Sequence, residues 1–209
     1  MKKTVVLVVL FVLPLVVYMF FASGVTNFGR LPVLTEQVAE LDGFRGEARL
    51  DGKITILGFP GTDNPSGKGN AFNLNQKIYK PFYEFTDFQV VMVLPEGQDE
   101  FVAELKKELG ALVDISQWEF VFGTPDQIGA FFNSLQTDLQ LDASGATPYV
   151  FIVDKDRKLR GRKNDDDIGT KYGFNTSSVA DLNNKMKDDV KIILAEYRLA
   201  LKKNQAVRK

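Results

Sequence analysis

From Thr4 to Ala22 the chain runs without a charge, TVVLVVLFVLPLVVYMFFA, and Lys2 and Lys3 precede it. At 1.5 Å per residue this run makes a helix of about 28 Å, close to the hydrocarbon thickness of a bilayer. Lysines before the run and none directly after it favour an N-in, C-out orientation. Tyr18, Phe20 and Phe21 lie toward its outer end, and Pro14 is tolerated in a membrane helix. The alternative is a cleaved signal peptide, because Ala22-Ser23-Gly24 resembles a small-residue cleavage site. The length of the run favours an uncleaved anchor, and both readings export the rest of the chain.

Residues 25-50 are mixed and weakly periodic, and read as a tether and lead-in segment. Beyond them the pattern sharpens. KITILGF, from Lys53, is a short apolar run fit for a buried strand, and FQVVMVLP, Phe88 to Pro95, is a second. Between them Asn70 is placed to cap a helix. DEFVAELKKELG, Asp99 to Gly110, is a helix with acids early and lysines late, stopped by its glycine. WEFVFGT, Trp118 to Thr124, is a third strand. Pro125 then opens a helix in which Ile128, Phe131, Phe132 and Leu135 share one face.

PYVFIVDKDRKLRGR, Pro148 to Arg162, reads as a hairpin turning at Asp154 to Asp156. The last helix starts near Ser177, with Ser178 and Asp181 fitting a capping box. Val179, Leu182, Met186, Val190, Ile193 and Tyr197 then recur at three- and four-residue steps. Strands alternating with helices, then a hairpin and a final helix, imply a central sheet covered on both faces.

Composition narrows the chemistry. The 209 residues include no cysteine and no histidine, and the formal net charge is −1. Disulfides, thiol nucleophiles, thiolate or imidazole metal ligands and histidine-activated nucleophiles are therefore excluded. A lipoprotein anchor, which needs a cysteine, is excluded too. The charge gives no global attraction to nucleic acid.

The glycine-rich stretch GTDNPSGKGN, Gly61 to Asn70, invites comparison with a phosphate-binding loop, G-x-x-x-x-G-K-[ST]. Five residues separate Gly61 from Gly67, and Gly69 follows Lys68 where a hydroxyl is needed for magnesium. Turn chemistry at Asn64-Pro65-Ser66-Gly67 makes a flexible surface loop the simpler reading.

Two segments carry a family resemblance. DISQWEFVFGTPDQIGAFFNSL, Asp114 to Leu135, resembles the central segment of Sco-family proteins, in which a tryptophan-led strand passes into a T-P-x-x-I helix start. TPYVFIVDKDRKLRGR, Thr147 to Arg162, is similar to the late hairpin of that family and of thioredoxin-like proteins. An N-terminal anchor before an exported domain is also the family's plan. The resemblance covers roughly residues 50 to 200. It implies an α/β, thioredoxin-like central sheet flanked by helices and preceded by one N-terminal transmembrane helix, and it points toward respiratory oxidase maturation.

The departures from the family are severe. The loop after the first core strand, GFPGTDNPSGKGNAF, lacks the family's C-x-x-x-C, and near Thr147 there is no histidine. Those residues bind copper or support thiol redox work in the family, so no catalytic residue carries over. Pro148 is similar to the proline before a core strand in thioredoxins, often preceded by a cis bond; a plain strand-start proline is the alternative.

Other candidates have simpler readings. Asn164 to Asp167, NDDD, offers oxygen ligands but not the spacing of a calcium loop, so a solvated loop is preferred. Lys155, Arg157, Lys158, Arg160, Arg162 and Lys163 form a basic hairpin patch fit for anionic lipid or an acidic partner, or for guarding an edge strand. Met92 and Met186 sit in apolar patterns and read as packing residues. No carboxylate pair stands out for hydrolysis. The end of the last helix, LALKKNQAVRK, either projects or docks on its own domain.

The chain is thus expected to divide into an anchor or signal peptide (1-24), the lead-in (25-50), a thioredoxin-like domain (51-203) and a tail (204-209). The expected function is a non-catalytic binding or assembly module on the extracytoplasmic side of the cell membrane, with no cofactor or metal and no nucleic-acid partner. A protein partner in a respiratory assembly pathway is the expected one. Candidate contacts are Thr62, Asp63, Asn64, Lys68, Asn70, Thr147 and Pro148. The alternative is an enzyme or small-molecule-binding protein with a non-thiol site between Gly61-Asn70 and Thr147; it calls for a concave pocket there, whereas a binding module calls for an exposed apolar patch.

Overall fold

A computed structural model of the chain describes residues 2–22, 29–62 and 65–207. The first element is helix α1, Lys2–Ala22, interrupted by Pro14 without ending. Apolar side chains along it, Leu10, Phe11 and Leu13 among them, are exposed. Among the described residues no helix is long and apolar enough to cross a membrane, so the fold does not support the transmembrane helix expected from the sequence.

The domain is built on a seven-stranded sheet. Its strands are β1 (Val33–Thr35), β2 (Ile54–Pro60), β3 (Phe88–Pro95), β4 (Trp118–Gly123), β5 (Ala146–Val153), β6 (Leu159–Arg160) and β9 (Phe174–Asn175). The order is β1-β6-β5-β2-β3-β4, and β9 adds to β5. β2, β3 and β4 are parallel, while β5 runs antiparallel to β2. A separate hairpin, β7 (Arg162–Asp165) with β8 (Gly169–Lys171), follows β6.

Alternation along the strands sends side chains to opposite faces. Ile54, Ile56, Val90, Met92 and Ile152 join one core, and Leu57, Phe59, Val91, Val93 and Phe151 join the other. The first face is covered by three helical segments. One is α2 (Pro65–Leu74), which passes through a π-helical turn at Asn75–Tyr79 into α3 (Lys80–Phe82). The second is α4 (Asp99–Gly110). The third starts at α6 (Val179–Asp181), passes a π-helical turn at Leu182–Met186 and continues as α7 (Lys187–Val207). The second face is covered by α5 (Pro125–Asn133), whose Ile128, Phe131 and Phe132 are buried as their spacing implies. The central sheet covered on both faces is therefore present, and so is the hairpin of β5 and β6, closed by Asp154 N–H to the Lys158 carbonyl at 3.0 Å.

Five details depart from the sequence reading. The lead-in does not hang free: β1 pairs with β6, Arg45 bridges to Phe122 of β4 at the opposite edge, and Val38, Leu41 and Leu50 are buried between. These scattered apolar residues lack a period because the segment crosses the sheet face as an irregular strap. The glycine-rich loop is shorter than expected, because α2 begins at Pro65 and places Asn70 inside the helix rather than at its cap. Proline suits a first helical position, and burial of Ala71 and Leu74 offsets the poor propensity of Gly67 and Gly69.

The third departure is at the last helix. Ser178 does accept the Asp181 N–H at 3.2 Å. The Asp181 carboxylate, however, accepts from Asn175 N–H at 2.8 Å and pairs with Lys171 at 3.0 Å, so the capping box closes on one side only. Val179 at the head of the apolar stripe is exposed.

Fourth, four of the six basic residues of the hairpin, Lys155, Lys158, Arg160 and Arg162, are each paired with a carboxylate. Arg160 is 5% exposed and donates to Asp154 at 2.7 Å, to Glu196, and to the Leu31 carbonyl. Arg162 pairs with Asp189, Lys158 with Glu36, and Lys155 with Asp87. β6 is an interior strand, since β1 covers it, so its charges guard no edge. In the NDDD stretch Asp165 is buried rather than solvated, and it receives the Lys185 ammonium at 2.7 Å and 2.8 Å.

A candidate binding cleft at the end of the central strands

At the C-terminal end of β2 the first core is not filled, and a cavity of about 280 Å³ remains. β2 contributes Gly58, Phe59 and Pro60, and α2 roofs the cavity with Gly67, Asn70, Ala71 and Leu74. Met92 of β3, Leu105 of α4 and Val150 of β5 complete an apolar floor. The space exists because small residues meet there. Gly58 stands between Met92 and Val150 in the sheet, and a Cβ on it would come within 2.6 Å of the Met92 sulfur. Gly61, with φ of 73°, turns the chain from β2 toward α2 at a position where a Cβ would meet Ala146.

The rim is polar. Thr147 and Pro148 lie at a shift in the β2–β5 register between Gly58 and Phe59. The Pro148 carbonyl accepts from the Thr176 N–H at 2.9 Å and from its hydroxyl at 2.6 Å. The Thr176 carbonyl in turn accepts from the Asn73 side-chain amide at 3.0 Å, which ties α2 to the rim. No cis peptide bond occurs among the described residues, so the bond before Pro148 is trans.

Asp142 is the one ionisable residue among the described residues that line the cleft. Its carboxylate accepts the Ser144 hydroxyl at 2.6 Å and the N–H groups of Ser144 and Ala146. These bonds hold its carboxyl below the usual carboxylate range. They also use one oxygen of the carboxylate to shape the loop. The Thr176 hydroxyl is likewise committed to the Pro148 carbonyl. What the cleft offers is an apolar recess with a hydrogen-bonding mouth, fit for an uncharged group.

Of the residues singled out from sequence, the fold brings Asn70, Thr147 and Pro148 together. Thr62 is exposed and lies off the lining, while Asp63 and Asn64 fall outside the described residues. Lys68 turns away: its ammonium sits 3.1 Å from Glu104 and 2.7 Å from Glu108, pinning α2 to α4. Sequence reasoning missed Gly58, Ala71, Val150 and Thr176. Nothing local marks them, because they line a cavity only through strand register. Met92 packs in the core as expected, with its sulfur also facing the cleft floor. Met186 is fully buried.

No protein-family model matches the chain, and no curated protein matches it. Solved structures do. BsSco, a member of the Sco family of cytochrome c oxidase assembly proteins, superposes with a TM-score of 0.53 at 15% identity, over 78% of this chain and 97% of that one. A SCO1/SenC family lipoprotein from Bacillus anthracis gives 0.54 at 16% identity, over 77% and 96%. At such identity the likeness is one of fold: the chain has the thioredoxin-like α/β fold of Sco-type structures.

Copper, the metal that the Sco resemblance implies, does not fit the cleft. The chain supplies neither thiolate nor imidazole, one oxygen of Asp142 accepts three bonds from Ser144 and Ala146, and Met92 leaves a single thioether. Among the described residues no group of three or more carboxylates is placed to hold a metal ion.

Proposed function

We propose that this chain is a divergent, Sco-like module held at the outer face of a membrane by α1, and that it binds a partner without performing thiol or copper chemistry itself. One observation carries this: the cleft stands at the end of β2, where the resemblance places the family's ligands, and it keeps a recess while lacking every ligand. The uncharged run from Thr4 to Ala22 behind Lys2 and Lys3 supports the anchor and its N-in orientation. The Sco structures whose fold it shares suggest a protein partner in oxidase assembly, one that could itself carry the metal.

An apolar side chain of the partner entering the cleft suits the roof of Ala71 and Leu74 and the floor of Met92 and Val150. The test is isolation of the tagged full-length protein from its native membranes under mild detergent, beside an Ala71→Phe variant that fills the recess. Recovery of oxidase subunits or a cysteine-bearing Sco relative, lost in the variant, is the expected result. Bare protein in every preparation overturns the partner reading.

A second reading is a small-molecule site. The cleft volume of about 280 Å³ approaches the lower end for ligand pockets, and the mix of apolar floor and polar rim matches their usual chemistry. Native mass spectrometry of the protein extracted without delipidation distinguishes it, since a retained small ligand displaced by Ala71→Phe favours this reading.

A further inference from the structure

The roof of the cleft is thinly built in its outer half. From Ser66 to Asn70 no side chain of α2 is buried, and the first that is belongs to Ala71. Gly67 and Gly69 lie in this half, and glycine is a poor helix former. Nothing stands within 4 Å of where a Cβ on Gly69 would be, so packing does not call for that glycine. Gly67 and Asn70 overlie the cavity, so the roof there rests on space and not on core. The inner half differs: Ala71 and Leu74 are buried, and the Asn73 side-chain amide donates to the Thr176 carbonyl at 3.0 Å.

What ties the outer half to α4 is charge. The Lys68 ammonium lies 3.1 Å from Glu104 and 2.7 Å from Glu108, which stand about one helical turn apart on α4. The Glu104 side chain is 63% exposed, so these pairs lie at the surface, where ion pairs are weak and salt screens them. Leu105, beside Glu104 on the same helix, lines the floor of the cleft. The two ion pairs therefore span the cleft, from its roof to a helix that forms part of its floor.

Segments with few buried side chains open at low free-energy cost, while core elements open only with the whole fold. The outer half of α2 is a segment of the first kind. The strands of the floor are of the second, with Met92 and Val150 buried.

We infer that the outer half of α2 is a latched cover. Lys68 holds it down on Glu104 and Glu108; when the latch parts, the helix unwinds as far as Ala71 and the cleft stands open to its occupant. The inference deepens the cleft reading above and rests on it. Lys68 then does not touch the occupant but sets how often the occupant can enter. A surface pair suits that task, since it parts readily and its strength follows ionic strength.

Because the chain has no cysteine, a single introduced thiol reports on one place. Val150→Cys puts it on the cleft floor, and Val91→Cys puts it in the core on the other face of the sheet, both at buried positions. The full-length protein is labelled under native conditions with a fluorescein maleimide, a reagent too bulky to enter a closed cavity of about 280 Å³. The rate of labelling then reads opening of the roof at position 150 and opening of the whole fold at position 91.

Glu104→Gln together with Glu108→Gln is expected to speed labelling at position 150 about threefold, the usual reach of surface ion pairs. High salt should speed the parent equally and the double variant not at all. Gly69→Ala, which strengthens the helix and leaves the latch alone, should slow labelling about fivefold. Position 91 should stay slow and unchanged throughout. Labelling at position 150 that is indifferent to these changes, or that moves in step with position 91, overturns the latched cover. Latch-dependent labelling of a protein that retains neither partner nor ligand is instead the failure of the binding reading alone.

Discussion

Gly58 and Met92 are direct neighbours across the parallel pair β2–β3, and a Cβ on Gly58 would meet the Met92 sulfur at 2.6 Å. The obstacle is the far end of a flexible side chain, so the sheet need not break. The thioether has the cleft to move into, since Val150 Cγ1, 3.3 Å from the same Cβ, closes the other side. The open recess thus depends on one missing methyl group.

Gly58→Ala is therefore expected to close part of the cleft at a cost of about 1–3 kcal/mol, the usual range for overpacking. Urea unfolding gives the cost, and binding of an environment-sensitive apolar dye gives the recess. A variant that binds the dye as the parent does shows that Met92 moved elsewhere.

Arg160 holds β1, β6 and α7 together at a site that water barely reaches. Its guanidinium meets Asp154 at 2.7 Å, reaches Glu196, and donates to the Leu31 carbonyl. Burial lowers the basicity of the group, but Asp154 and Glu196 outweigh that and hold it firmly protonated. Arg160→Met leaves the buried Asp154 carboxylate without its cation and should cost about 3–5 kcal/mol. A urea midpoint within experimental error of the parent's would refute this.

Asp165 should govern part of the acid limb of stability. Burial pushes its carboxyl up, and the Lys185 ammonium and Asp167 N–H more than reverse this, so it stays below the usual carboxylate range. Such a group stabilises the fold fully above its unfolded value of about 3.9 and loses that contribution as pH falls through the lower, folded value. Asp189 has the opposite sign: burial outweighs the pull of Arg162 and raises it, so its contribution is greatest in acid and is lost as pH rises through the raised value. Asp165→Asn is thus less stable than the parent near neutrality, and the two curves of unfolding midpoint against pH should converge below about pH 4. Curves that stay parallel down to low pH would assign the acid limb to other groups.

The start of α5 carries a reciprocal cap. Thr124 accepts the Gln127 N–H at 3.3 Å, while the Gln127 side chain accepts the Thr124 N–H at 2.9 Å. Thr124→Ala should cost about 1 kcal/mol. Gln127 also donates to the Gly43 carbonyl of the strap at 3.3 Å, so Gln127→Ala should in addition loosen residues 38–45. Hydrogen exchange at Arg45, whose N–H bonds to Phe122, reads that second effect: faster exchange in the glutamine variant alone is expected.

Much of this protein was legible in the chain because its signals are local. β3 and α4 have the bounds that their hydrophobic runs and terminal charges mark, Phe88–Pro95 and Asp99–Gly110, and Pro125 opens α5 where the sequence places it. The absence of cysteine and histidine excluded whole classes of chemistry before any shape was known. What the chain did not display were relations between distant residues. Arg160 reads as one more surface cation until Asp154, Glu196 and Leu31 close around it, and Lys68 reads as a candidate partner contact until α4 presents Glu104 and Glu108. The strap from Leu31 to Leu50 has no period because it follows the sheet's surface rather than its own helix or strand geometry. The cleft is the extreme case: Gly58, Ala71, Met92 and Val150 come from four elements, and only their register and packing decide that the space between them stays open.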